Sequence, residues 1–322
     1  MVLSKKKYRK RPSPGGLQPG DSSPKDCTFF QNNGFWDSNF TKWTLEAEEY
    51  QIQSLKNFFT DPDETNDVHR EGLQHFLFCG DSTVIRLFSQ IFYSAALSSQ
   101  SFVTIKTSNR CDLMEYYGFK RAKNWISPNL SIEGPCRYGH DNPYCTDCRG
   151  CNSMFKVSYE DGKIQQTYEY ISIEFARDRE FQTDKSSTSQ ETLGLYLQKT
   201  FRRDLCVATA GIHDVILDIS VMQFAENVSD YLTILTRWCK KVVWLQTTAS
   251  LDTPSRKQKN EILMRFNAAV KRTCSQDHLD QIMIFNTWEM SLPAELHADN
   301  VHHTGIYYKE VVRLILELAG TK

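Results

Sequence analysis

At 322 residues the chain can bury one large core or two modest ones, and its 40% hydrophobic, 24% charged composition is that of an ordinary globular protein. A net charge of -1 gives it no global attraction to nucleic acid or to an anionic surface. No apolar run reaches the ~18 residues that a membrane helix needs, and the basic N-terminus lacks the apolar segment of a secretory signal.

Residues 1–26, rich in Lys, Pro, Gly and Ser and including Lys5-Lys6-Lys7-Tyr8-Arg9-Lys10-Arg11, read as a disordered arm rather than as a nuclear or membrane-surface signal. Residues 27–322 read as one α/β domain, its folded part opening with the aromatics around Gly34-Phe35-Trp36 and Trp43. After a polar loop at 60–72, the apolar run Phe76-Leu77-Phe78-Cys79 predicts a buried strand. It breaks at Gly80-Asp81-Ser82 into a helix over 84–97. A strand follows over 101–107, then an irregular insert at about 108–152 that carries a cysteine cluster. Runs at 154–159 and 167–175, with the turn signal Glu160-Asp161-Gly162 between them, predict two strands. Residues 176–190 read as a polar loop. Beyond it helices and strands alternate: helix 191–202, strand 205–210, helix 221–239, strand 241–247, helix 256–273, strand 281–286, helix 307–318. That alternation predicts a mainly parallel sheet wrapped on both faces, a three-layer α/β/α sandwich.

Ligands of a parallel sheet sit beyond the carboxyl ends of its strands, so the residues just past each run are the candidates for chemistry. Ser82 stands past the first strand, on a strand-to-helix turn suited to a nucleophile. Gly211-Ile212-His213-Asp214 follows the 205–210 strand, and Asp299-Asn300-Val301-His302 follows the last strand. A serine hydroxyl needs a base within hydrogen-bond reach, and an Asp three residues before a His can orient that base. The Ser82 N–H, the Gly211 backbone and the His213 side chain are candidate oxyanion donors. His303 adjoins His302 and competes for the base role, and His75 and Trp244 read as structural.

These blocks, together with Trp244-Leu245-Gln246-Thr247-Thr248 and a helix carrying Asn260 and Asn267, resemble the SGNH/GDSL hydrolase superfamily from about Phe76 onward. Within it they are similar to the PC-esterase group, which includes trichome-birefringence-like polysaccharide O-acetyltransferases and sialic-acid O-acetyltransferases. The resemblance implies a catalytic triad of Ser82, Asp299 and His302. It also implies acyl-ester chemistry on a glycan or related hydroxyl substrate, by hydrolysis or by transfer. The group's Arg three residues after the Ser is replaced by Ile85, with Arg86 one place later, a turn of about 100° on a helix. The superfamily's Asn in the third block is replaced by His213. Arg86 is accordingly a candidate either for a salt bridge or for substrate binding. A non-catalytic glycan- or protein-binding member of the same fold is the alternative reading.

Ten cysteines suggest an oxidising lumen, Golgi or extracellular, against which stands the missing signal; a cytoplasmic address is the alternative. Three sequons, at Asn39, Asn129 and Asn227, lean the same way. Cys136, Cys145, Cys148 and Cys151 read as two disulfides stapling the insert. A zinc site, with His140 as an alternative ligand, is the other reading, and a cytosolic zinc-knuckle interaction protein would follow from it. Cys79 and Cys206 read as buried free thiols. No phosphate-binding loop or dinucleotide fingerprint is present, so no cofactor is expected.

Overall fold

The computed structural model describes residues 28–30, 34–45, 58, 75–97, 101–107, 130–133, 152–159, 165–173, 176, 180–182, 190–198, 202–251, 257–277 and 281–319. The N-terminal arm, the sequon at Asn129 and the four clustered cysteines lie outside them. Among the described residues nine strands form one sheet: β1 (Thr28–Phe30), β4 (His75–Gly80), β5 (Ser101–Thr107), β6 (Leu130–Glu133), β7 (Asn152–Tyr159), β8 (Gln165–Ser172), β11 (Arg203–Ala208), β12 (Cys239–Leu245) and β13 (Ile282–Phe285). Their order is β1-β13-β12-β11-β4-β8-β7-β5-β6. The run from β1 to β8 is parallel throughout, and β7 pairs antiparallel with both β8 and β5. Two ribbons stand apart, β2 (Gly34–Trp36) with β3 (Trp43–Leu45), and β9 (Glu180–Gln182) with β10 (Gln190–Thr192).

The buried stretches of the central strands, Phe76–Cys79, Leu205–Ala208, Val242–Leu245 and Ile282–Phe285, are apolar throughout because both of their faces are covered. Side chains alternate between two cores. Phe76, Phe78, Leu205, Val207, Val243, Leu245, Met283 and Phe285 point into the first. Leu77, Cys79, Cys206, Ala208, Val242, Trp244, Ile282 and Ile284 point into the second. The first core is closed by α1 (Ser82–Leu97) and α6 (Gly305–Leu318), through residues such as Val84, Phe88, Tyr307 and Val311. The second is closed by α3 (Val221–Trp238) and α4 (Lys257–Asp277), through Phe224, Tyr231, Leu263 and Phe266. The molecule is thus the three-layer α/β/α sandwich that the alternation predicts. Short helices α2 (Leu193–Gln198) and α5 (Thr287–Met290) complete the described elements.

Boundaries depart from the sequence expectation where local pairing wins. Glu191 and Thr192, expected to open the 191–202 helix, belong instead with Gln190 to strand β10, because β9 supplies backbone partners within the stretch expected to be loop. Helix α3 stops at Trp238, and Cys239 already belongs to β12. Cys206 is not a free thiol. It is bonded to Cys239 across the neighbouring strands β11 and β12, where the Cα–Cα separation is 5.9 Å. Cys79 is a buried free thiol, and Trp244 is fully buried, both as expected. Of the sequons among the described residues, Asn39 is exposed on the β2–β3 turn. Asn227 is buried in α3, its Oδ1 accepting from Gln223 Nε2 at 3.3 Å, so it presents no glycan acceptor in the folded chain.

The topology fixes where a site can form. The chain leaves β4 into α1 on one face and leaves β11, its neighbour, into α3 on the other. A crevice opens where outgoing connections part in this way, beyond the carboxyl ends of β4 and β11.

Candidate active site

Ser82 is the first residue of α1, immediately past β4. The turn is sharp because Gly80 has no side chain: a Cβ there would lie 2.4 Å from Val84 Cγ2 and 3.1 Å from the Thr209 carbonyl oxygen. Gly80 is held in place as its carbonyl accepts from Ile173 N at 2.9 Å and from the Tyr170 hydroxyl at 3.0 Å. Asp81 caps α1, its Oδ1 accepting from Thr83 N at 2.8 Å. Burial pushes the Asp81 carboxyl up from its ordinary value, and the nearby imidazoles of His213 and His302 act against that rise.

From the far end of the chain the segment between β13 and α6 brings in Asp299 and His302. The Ser82 Oγ lies 2.8 Å from His302 Nε2, and His302 Nδ1 lies 2.8 Å from Asp299 Oδ2. With the Nδ1 proton donated to the carboxylate, Nε2 is left to accept the serine proton. Asp299 Oδ1 accepts from the amides of Val301 and His302, each at 2.8 Å, so the carboxylate holds the backbone as well as the ring of its partner. Partial burial works to raise the Asp299 carboxyl. The His302 and Val301 amides and the imidazole outweigh it, and the group sits well below the usual carboxylate range. The three residues that the sequence set at opposite ends of the chain therefore form one hydrogen-bonded line.

Gly211 and His213 stand across the crevice, past β11. Gly211 has φ +124°, in the region that favours glycine, and a Cβ would lie 2.6 Å from Thr247 Oγ1. His213 is half-buried and precedes a short 3-10 turn over Asp214–Leu217. Asp214 is fully buried, and both of its carboxylate oxygens lie 3.2 Å from Ala176 N. Arg86, one helical turn after Ser82, sets its guanidinium carbon 6.0 Å from the centre of the Tyr308 ring, placing it in the α1–α6 contact.

Several residues support the strand ends in ways the sequence does not show. The Thr247 hydroxyl donates to the Ala210 carbonyl, joining the ends of β12 and β11. Asn267 grips Thr247 with two bonds, Oδ1 from its N–H at 2.8 Å and Nδ2 to its carbonyl at 3.0 Å. Asn260 does the same for Ser250, at 2.9 and 3.0 Å. The resemblance had marked both asparagines without a role. His303, the rival base, is buried and turned away from Ser82, its Nε2 3.2 Å from the Ser291 carbonyl oxygen. His297 Nε2 reaches the same oxygen at 3.0 Å. His75 is half-buried at the opposite, amino end of β4. Among the described residues no group of acidic, His or Cys side chains could hold a metal ion, and no helix is long and apolar enough to cross a membrane.

No family model matches the chain, and no curated protein matches it. Solved structures are similar to it at low identity. The acetylxylan esterase Axe2 from Geobacillus stearothermophilus is 12% identical, over 79% of this chain and 98% of that one, with a TM-score of 0.41. LAE5, an alpha/beta hydrolase enzyme from the metagenome of Lake Arreo, Spain, is 11% identical, over 78% and 97%, with a TM-score of 0.39. A carbohydrate esterase family 3 protein from Talaromyces cellulolyticus is 14% identical, over 77% and 99%, with a TM-score of 0.38.

Proposed function

We propose that the protein is a serine-dependent acyl-ester enzyme that removes an acetyl group from a hydroxyl-bearing substrate such as a glycan, or transfers one to it. The observation that carries this reading is the Ser82–His302–Asp299 line, with both contacts at 2.8 Å, at the switch point of the parallel sheet. In the first half-reaction His302 Nε2 takes the Ser82 hydroxyl proton as Oγ bonds to the ester carbonyl carbon. The carbonyl oxygen becomes an oxyanion, facing the amides of Ser82 and Gly211 and the His213 ring as its donors. The C–O bond to the leaving group then breaks, and His302 returns the proton to the departing oxygen. In the second half a water or a sugar hydroxyl gives its proton to His302 and attacks the acyl-serine, releasing Ser82 with its proton restored. Hydrolysis and transfer share the first half and differ only in the acceptor.

Buried disulfide chemistry at Cys206–Cys239, and a third disulfide-bonded cysteine at Cys274, support an address in the secretory lumen or outside the cell. The functional test is hydrolysis of p-nitrophenyl acetate by wild type, Ser82→Ala and His302→Ala, with fluorophosphonate labelling alongside. Loss of turnover by ~10³-fold or more in both variants, and loss of label in Ser82→Ala, is the expected result. Turnover untouched by either substitution overturns the triad.

A further inference from the structure

The β2–β3 ribbon packs against the segment that leads from β13 to His302. The Trp36 indole N–H donates to the Met290 carbonyl at 3.0 Å, and Trp36 and Trp43 meet edge to face at 5.6 Å. Between ribbon and segment lies a cavity of about 460 Å³, within the range of small-ligand sites. Among the described residues its walls include Trp36, Phe40, Trp43, Glu289, Leu292 and Pro293. Three of these are aromatic and one is a carboxylate. Glu289 is exposed, and its carboxylate has no ion-pair or hydrogen-bond partner among the described residues.

Phe40 is placed there against its own backbone preference. It has φ +52°, a left-handed conformation that a bulky side chain rarely adopts. The turn is tied from both ends: Phe40 N donates to the Asp37 carbonyl at 3.0 Å, and Asp37 Oδ1 accepts from Thr41 N at 2.6 Å. An Asn or Gly at position 40 would make the same turn with less strain. The turn alone therefore does not account for an aromatic ring at this position, whereas a wall of the cavity does.

We propose that this cavity is a subsite for a neutral sugar ring of the substrate, an inference that rests on the glycan reading above. A pyranose has what the walls ask for: apolar C–H faces to lie on Trp and Phe rings, and hydroxyl donors for an acceptor-only carboxylate. An anionic sugar would be repelled by Glu289. The subsite adjoins the Asp299–His302 segment in sequence: Glu289, Leu292 and Pro293 flank Ser291, whose carbonyl lies within hydrogen-bond reach of His297 and His303. A glycan seated here would lie on the segment that carries the catalytic base.

The test is intrinsic tryptophan fluorescence of the full chain carrying Ser82→Ala, titrated with xylotriose, cellotriose and chitotriose, and separately with choline. Saturable quenching by at least one trisaccharide, weakened ten-fold or more by Phe40→Asn and by Glu289→Gln with thermal stability retained, is the expected result. Phe40→Asn removes the ring while easing the turn, so a fall in binding without a fall in melting temperature separates a ligand role from a structural one. Quenching by choline and by no sugar overturns the proposal in favour of an aromatic cation site. Quenching by none of the probes, or sugar binding indifferent to both substitutions, also overturns it. Esterase activity without sugar binding leaves the acyl-ester reading standing alone, and sugar binding in a chain without esterase activity does the reverse.

Discussion

At the scale of single residues, Asp299 is the most informative member of the line. Its two oxygens divide the work: Oδ1 holds the Val301 and His302 amides, and Oδ2 holds the His302 ring. Asp299→Asn keeps the size and leaves an amide oxygen for the two backbone donors, but its NH2 group would face Nδ1 and favour the tautomer with the proton on Nε2. That imidazole cannot accept the serine proton. The expected outcome is a fall of ~10²–10⁴ in kcat for p-nitrophenyl acetate with KM changed by less than about three-fold. A variant that loses KM and keeps kcat would instead place Asp299 in substrate binding. The meeting of Ser82, Asp299 and His302 was legible from two local signals taken jointly, a glycine turn after an apolar strand and a three-residue Asp–His spacing, and from the resemblance they carry. Gly211 was legible for a related reason, since only a residue without a Cβ passes Thr247 at that φ. The function of Asn267 was not. Its bonds are to the backbone of Thr247, and side-chain-to-backbone bonds at a sequence distance of 20 leave no pattern in residue type.

At the scale of elements, the segment from Ser291 to Thr304 explains how an exposed turn holds His302 in register. His297 and His303 both meet the Ser291 carbonyl, and the His303 ring packs tilted against those of His297 and Tyr307, at ring distances of 4.3 and 4.4 Å. The Tyr308 hydroxyl accepts from His303 N at 3.2 Å, and Ala298 N closes the turn on the His302 carbonyl at 2.8 Å. The ionisable groups around His303 are His297, His302 and Asp299 of its own segment and Tyr307 and Tyr308 of α6. Burial, then the repulsion of His297, pulls His303 down from 6.5 to about 3. Between those two values the unfolded chain binds a proton at this site that the folded chain refuses. Stability therefore rises with pH across the window and is lost on acidification, by up to ~5 kcal/mol. Burial lowers His297 as well, adding to the loss in the same direction. The expected result is a melting temperature that falls less between pH 6.5 and pH 4 in His303→Phe, which keeps an aromatic ring at this position, than in wild type. Parallel curves would remove His303 from the account. From sequence His303 is legible only as a rival to His302, because ring packing and a shared carbonyl acceptor depend on how a loop closes, which spacing alone does not reveal.

At the scale of the whole molecule, the layering was legible because a doubly covered parallel strand is apolar along its buried length, and Phe76–Cys79 of β4, Leu205–Ala208 of β11, Val242–Leu245 of β12 and Ile282–Phe285 of β13 are. The same rule concealed the Cys206–Cys239 bond. A cysteine within such a run looks like any small apolar residue, and Cys239 looked like the last residue of a helix rather than the first of β12. The register sets Arg203 opposite Cys239 and Cys206 opposite Val242, so the two cysteines are not directly opposed, yet their Cα atoms lie 5.9 Å apart. The bond ties neighbouring strands across a sequence separation of 33, enclosing all of α3. Closing a loop of that length restricts the unfolded chain by an amount equivalent to ~3–4 kcal/mol. Cys79, on the adjoining strand, does not compete for it, because burial pushes its thiol up and leaves no thiolate for exchange. The double variant Cys206→Ala/Cys239→Ala is therefore expected to lower the stability extrapolated from guanidinium unfolding by ~3–4 kcal/mol, beyond which the two small cavities add their own cost. Since the bond lies within the sheet and Ser82 lies beyond the strand ends, the variant is expected to keep fluorophosphonate labelling of Ser82 below its unfolding transition. An unchanged midpoint would mean that the bond contributes nothing to folding. Labelling lost while the chain is still folded would mean that it also holds the crevice between β4 and β11 in shape.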